Sequence, residues 1–186
     1  MTTQEVLDEA DQKMRDAVAH TSNEFAKVRT GRANPGLVSN LPVEYYGTKT
    51  PLQQLAGVSV PEARVLLITP YDPSALKEIE RAITVAELGV NPSNDGSVIR
   101  VVFPDLTEER RKDYVRTAKQ RAEEGRVSVR SARRQARNDL SALASNGDIS
   151  EDEEHRAEGQ LQKLTDRHVE EIDRMLSNKE SELTEV

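Results

Sequence analysis

The stretch "VRTAKQRAEEGRVSVRSARRQA", residues 115–136, decides the architecture. Within it Val115, Ala118, Ala122, Gly125, Val129, Ala132 and Ala136 follow one another at alternating steps of three and four. That spacing is the seam of a helix packed lengthwise against other helices, and its small side chains permit a close approach. The surrounding residues predict a helix over 107–145, with Thr107 at its N-cap and Glu108 and Glu109 at the positive end of the helix dipole. "NGD" at 146–148 ends it, and Ser150 with Glu153 forms a capping box for a further helix. That helix carries Leu161, Leu164, His168, Ile172, Met175, Leu176 and Leu183 along one stripe. At the other end of the chain, Val6, Ala10, Met14, Ala17, Thr21, Phe25 and Val28 repeat the pattern behind a Thr2–Glu5 capping box.

Between the first and second helices the pattern changes. "TGRANPG" at 30–36 breaks the helix with two glycines and a proline. Strand-like runs follow at 41–46, 55–60, 64–69 and 97–103, rich in β-branched and aromatic residues and separated by Gly, Pro and Asn. One helix interrupts them: Asp72 caps it, Pro73 opens it, Leu76, Ile79, Ile83 and Ala86 form its buried face, and Gly89 stops it. The economical architecture is α+β. Residues 1–30 and 106–186 form an elongated antiparallel three-helix bundle, and residues 31–105 form a small inserted β/α/β domain. The chain crosses between the two at Thr30–Gly31 and at Pro104–Asp105, and paired crossings restrict relative motion to a hinge.

Composition agrees with long, solvated helices: charged residues make up 32% of the chain and aromatics 3%, with no Trp. No run of about 18 apolar residues is present, so no membrane span is expected. The first residues lack the pattern of a signal or transit peptide. The absence of cysteine excludes disulfides, thiolate metal sites and cysteine nucleophiles, and fits a cytoplasmic protein.

The net charge of −7 is unevenly distributed. Residues 107–147 hold eleven basic and six acidic groups, whereas residues 148–186 hold five and thirteen. Within the basic segment, residues 126–137 contain Arg126, Arg130, Arg133, Arg134 and Arg137 and no acid. On a helix of about 100° per residue these five fall within about a third of the circumference, beside the seam and pointing outward. Arg110, Arg111, Lys112, Arg116 and Lys119 extend the basic character upstream. Two readings stand. The face is either solvated and paired with the acidic last helix, or it is a ridge for nucleic-acid phosphates, which arginine captures with a bidentate fork. The lack of aromatics on the ridge argues against stacking on unpaired bases and favours structured RNA.

Other constellations are weaker. Gly31 and Gly36 have the spacing of a phosphate loop, but Leu37 and Val38 stand where Lys and Ser/Thr are required, so a hinge turn is the better reading. His20, His155 and His168 share no ligand spacing, and His168 reads as a packed seam residue. "EDEEH" at 151–155 is explained by the preference of a first helical turn for acids. No nucleophile–base pair appears, and neither a catalytic residue, a metal nor a cofactor is expected.

Five blocks then bear on family: "KVRTGRANP" (27–35), "VEYYGTKTPLQQLA" (43–56), "LTEERRKD" (106–113), "VRSARRQA" (129–136) and "ISEDE" (149–153). Together, in register from the first helix to the last, they resemble the bacterial ribosome recycling factors. The resemblance implies an L-shaped fold of roughly tRNA dimensions and a non-enzymatic wedge. Such a wedge acts after termination, with elongation factor G and GTP, to split the 70S ribosome into subunits. It implies a bundle lying on large-subunit rRNA and an inserted domain moved by the elongation factor. In the family's arginine-rich motif the matching positions are Arg130, Arg133 and Arg134, with Arg133 foremost; Arg29, Arg32 and Arg110 match further basic positions near the elbow. Arg126 and Arg137 join the rRNA-binding set from the ridge itself, and a monomer is expected. The competing class is a helical scaffold that binds protein partners through the small-residue seam.

Overall fold

The computed structural model describes residues 1–28 and 30–184. The chain folds as two units: one from Met1–Arg29 and Glu108–Val186, the other from Thr30–Thr107.

In the first unit, helix α1 spans Thr3–Ala26, α3 spans Glu108–Ser145 and α4 spans Glu151–Thr184. At about 1.5 Å per residue, α3 and α4 each exceed about 50 Å. The Thr2–Glu5 capping box forms in both directions: Glu5 N donates to Thr2 Oγ1 at 3.1 Å, and Thr2 N to Glu5 Oε2 at 2.9 Å. At the α3–α4 turn Gly147 takes φ 77°, and Asp148 N reaches back to Leu143 O at 2.9 Å. This left-handed cap reverses the chain within a few residues, so α4 returns antiparallel along α3. Glu153 N then donates to Ser150 Oγ at 3.1 Å, which starts α4 where the sequence places it.

The seam is buried as the spacing demands. Ala118, Ala122, Gly125, Val129, Ala132, Ala136 and Leu140 of α3 pack with Val6, Leu7, Ala10, Met14 and Phe25 of α1 and with Ala157, Leu161 and Ile172 of α4. Val115, expected on the seam, lies only half-buried near the end of the bundle, and the buried row runs on to Leu140 instead. His168 is 2% exposed, as a packed residue should be, and its Nε2 lies 2.8 Å from Asp11 Oδ1 of α1.

The second unit holds more strands than its composition suggests. Strand β1 (Pro42–Tyr45) pairs with β2 (Thr48–Pro51) in an antiparallel hairpin. Strands β3 (Ala56–Glu62), β4 (Val65–Pro70), β5 (Pro92–Asn94) and β6 (Ile99–Val102) form an antiparallel sheet in the order β3-β4-β6-β5. β2 and β5 are additions to the four runs read from sequence. They are short and polar, so neither alternation nor β-branched content marks them. Helix α2 (Leu76–Val85) buries Leu76, Ile79 and Ile83 against Leu66, Ile68, Ile99 and Val101.

Two details differ from expectation. Asp72 and Pro73 open a 3₁₀ turn, Pro73–Ala75, which leads into α2, so they lie one turn before the α-helix proper. Glu87, at φ 50°, ends α2 before Gly89 is reached. Asp72 also ties the helix start to the hairpin: its Oδ2 accepts from Tyr45 OH at 2.7 Å and its Oδ1 from Ser74 N at 3.0 Å. Those bonds, the one from Tyr45 first, hold the Asp72 carboxyl below the usual range.

Candidate nucleic-acid interface

The ridge arginines all stand on α3, and their surroundings are set by the register of α3 against antiparallel α4. Arg126 meets Asp173, Arg133 meets Gln162 and Arg137 meets Glu158, so residue numbers fall along one helix as they rise along the other. Each of these three arginines therefore faces a different α4 side chain, and the chemistry of that partner separates their roles.

Arg126 departs from the expected ridge. Its side chain is 19% exposed; Nε lies 2.8 Å from Asp173 Oδ1 and Nη1 3.0 Å from Glu123 Oε2. Burial works against its charge, but the bonds to Asp173 and Glu123 outweigh that and push its pKa up. Glu123 stands three residues before Arg126, just outside the acid-free window, and occupies the i,i+3 position that allows a local pair. Arg126 is thus a tie between α3 and α4.

Arg130 and Arg137 are compensated more loosely. Arg130 Nη1 is 3.5 Å from Glu123 Oε1, and Arg137 Nε is 3.6 Å from Glu158 Oε1; both arginines are at least half exposed. Exposed pairs of this kind contribute at most about 1 kcal/mol, so a phosphate can displace them at little cost. Arg133 has no carboxylate partner among the described residues: its Nη1 donates to the neutral Gln162 Oε1 at 3.2 Å. Arg134 is exposed and makes neither ion pair nor hydrogen bond among the described residues. The positive charge expected of the whole ridge is therefore concentrated at Arg133–Arg134, with Arg130 and Arg137 flanking it.

The remaining predicted positions lie elsewhere. Arg110 is exposed in the first turn of α3, and Arg32 is exposed in the second unit. Arg29 lies outside the described residues. Of the expected hinge residues, Gly31 takes φ 78°, a left-handed conformation that favours glycine, and a Cβ there would lie 3.1 Å from Leu106 Cγ. Thr30 is half-buried and Pro104 exposed. Asp105 Oδ1 sits 3.2 Å from Arg64 Nη1, and Phe103 N donates to Arg64 O at 2.8 Å, so the chain around Pro104 is held within the second unit. The second crossing between units falls at Thr107–Glu108.

Among the described residues, no group of three or more His, Asp or Glu side chains is arranged to hold a metal ion, and no helix is long and apolar enough to cross a membrane. Sequence reasoning missed Gln162 and Asp166. Gln162 Nε2 donates to Asp166 Oδ1 at 2.8 Å, an i,i+4 pair visible in "QKLTD", but nothing local reveals that it faces Arg133.

A long three-helix bundle with a basic helix face and an inserted antiparallel α+β unit places the chain among two-unit proteins built on an arginine-lined helix bundle. The chain belongs to the ribosome recycling factor family, whose family model matches residues 21–184. It is 54% identical over 183 residues to the ribosome-recycling factor of Thermobifida fusca, covering 98% of this chain and 99% of that relative. The ribosome-recycling factor of Paenarthrobacter aurescens is likewise 54% identical over 183 residues. Among solved structures, a solution structure of the ribosome recycling factor superposes with a TM-score of 0.81 at 43% identity, covering 99% of this chain and 98% of that one. The Thermus thermophilus ribosome recycling factor, placed with Escherichia coli elongation factor G on the post-termination complex, superposes with a TM-score of 0.69 at 45% identity over the full length of both chains.

Proposed function

We propose that this chain is a translation factor that, together with elongation factor G and GTP, splits post-termination 70S ribosomes into subunits for reuse. The supporting comparison is the relative seen with elongation factor G on the post-termination complex, to which this chain aligns from end to end at 45% identity. The bundle acts as a stiff wedge on large-subunit rRNA, and the inserted unit receives the push of the elongation factor and passes it on through the paired crossings near Thr30 and at Thr107–Glu108. The chain performs no catalysis of its own; GTP hydrolysis belongs to its partner. It works as a cytoplasmic monomer.

The observation that carries the rRNA contact is the uncompensated pair Arg133–Arg134, flanked by Arg130 and Arg137. Fixed guanidinium groups on a rigid helix, without aromatic neighbours, read phosphate positions on folded RNA and leave base identity unread. Arg110, Arg32 and Arg29 extend the basic contact, whereas Arg126 serves it indirectly by tying α3 to α4.

The test is light scattering of post-termination ribosomes mixed with this protein, elongation factor G and GTP. A fall in scattering is expected, and a constant signal refutes the assignment. Replacing Arg133 by Ala is expected to weaken ribosome binding and to lower its salt dependence by about one phosphate contact. The scaffold reading loses its surface: the seam residues Ala118 to Ala136 are at most 8% exposed, already covered by α1 and α4.

A further inference from the structure

Three arginines of the α3 ridge face carboxylates: Arg126, Arg130 and Arg137. Arg133 faces an amide. Its Nη1 donates to Gln162 Oε1 at 3.2 Å, and Gln162 Nε2 donates to Asp166 Oδ1 at 2.8 Å. The two neighbours jointly decide how the amide is turned. A guanidinium offers only donors and a carboxylate only acceptors, so the oxygen of Gln162 must face Arg133 and its nitrogen must face Asp166. Asp166 thus orients an oxygen toward Arg133 without placing its own charge there. The pair borders a cleft of about 200 Å³ lined by Arg133, Arg137, Glu158, Leu161 and Gln162.

We infer that Gln162 is a positioning residue for the rRNA contact, restraining the Arg133 guanidinium with a neutral acceptor so that its charge and its remaining donors stay available to an RNA phosphate. This rests on the reading that Arg133 meets a large-subunit phosphate. Three kinds of surroundings are open to that cation. A carboxylate would order the side chain but neutralise it, and a phosphate would have to break the ion pair before binding. An empty site would leave the charge free but the side chain unordered, so its rotamer entropy would be lost on binding. A side-chain carbonyl orders it and leaves the charge in place. One Nη1 bond still leaves the guanidinium with other N–H donors, enough for bidentate capture of phosphate oxygens.

The experiment measures affinity of the full-length protein for purified 70S ribosomes across a salt series. The variants are Arg133→Ala, Gln162→Ala, Gln162→Glu and the double variant Arg133→Ala/Gln162→Ala, with thermal unfolding as a check on folding. Gln162 is exposed on α4, so all are expected to fold. Gln162→Ala should weaken binding about two- to tenfold, the range of one hydrogen bond, with the salt slope unchanged because no charge is lost. Gln162→Glu should also lower the salt slope by about one, because the guanidinium is then held by a carboxylate. In the Arg133→Ala background, Gln162→Ala should have no further effect. Wild-type affinity for Gln162→Ala, an unchanged slope for Gln162→Glu, or an equal loss with and without Arg133 each overturns the positioning role. If Arg133→Ala weakens binding while Gln162→Ala is silent, the inference alone fails. If Arg133→Ala itself binds as wild type with the same slope, the phosphate reading fails and this inference falls with it.

Discussion

Gly125 and Thr21 approach so closely that a methyl group built on Gly125 would lie 2.2 Å from Thr21 Oγ1. The same methyl would stand 3.1 Å from Ile172 Cδ1, so α1 and α4 both close on one glycine of α3. A mid-helix glycine costs about 1 kcal/mol relative to alanine, and here that cost secures close contact of three helices. Thr21 cannot turn away freely: it is β-branched, and its hydroxyl donates to Ala17 O at 2.8 Å. Gly125→Ala is therefore expected to destabilise the protein by about 1–3 kcal/mol despite the gain in helix propensity. Chemical denaturation at constant m-value measures this; a stabilised variant would show that the helices part without strain.

Arg126 and Arg134 should separate stability from binding. Arg126→Ala removes the tie to Asp173 and Glu123 and is expected to cost about 1–2 kcal/mol of stability. Arg134→Ala removes an exposed, unpaired charge and is expected to leave the melting temperature unchanged while lowering the salt slope of ribosome binding by about one. The reverse pattern, with Arg126→Ala stable and Arg134→Ala unstable, would reject the division drawn along the ridge.

Asp11 gives the bundle an acid limb. Burial is the strongest single influence and acts against its carboxylate, but the bond to His168 together with the charges of Arg15 and Arg167 outweighs it, so its pKa lies below the ordinary value. A depressed carboxylate contributes stability that is complete above the unfolded value of about 3.9 and is lost as pH falls through the folded value. Asp11→Asn should therefore be less stable than wild type at neutral pH, and the difference should shrink from about pH 4 downward. Urea titrations between about pH 3 and pH 7 test the sign; a difference that grows on acidification contradicts it.

Gly31 offers a test of transmission. Alanine at φ 78° costs about 1–2 kcal/mol of local strain and crowds Leu106. Replacing Gly31 and Pro104 together by Ala is expected to slow subunit splitting while ribosome affinity is retained. Parallel measurement of light scattering and sedimentation decides it, and unchanged splitting with unchanged affinity argues against a hinge there.

The bundle was legible because alanine and glycine at steps of three and four admit one explanation, and the buried row from Ala118 to Ala136 follows that spacing. The hairpin partner Thr48–Pro51 and the strand Pro92–Asn94 were not, because both are short and polar and pair with the adjacent strand through backbone bonds that leave no side-chain alternation to read. The ridge was legible as a set of arginines sharing one helix face. Their division into a tie, a bare pair and loosely held flanks was not. It depends on Asp173, Gln162 and Glu158, whose placement opposite α3 follows from the α3–α4 turn and the packing around Gly125. Helix periodicity gives the direction of a side chain, whereas its electrostatic environment belongs to the pair of helices.

On α4, Glu158 and Asp166 stand one turn to either side of Gln162. A slip of α4 along α3 by a single turn, about 5.4 Å, would set a carboxylate opposite Arg133 in either direction. The Arg126–Asp173 bond and the notch at Gly125 oppose such a slip, so the features that lock the helices axially also keep the cation at Arg133 from being quenched. Axial alignment of the bundle is in this sense a setting with one active position, and a mutation that shifts it would silence the charge at Arg133 without touching any arginine.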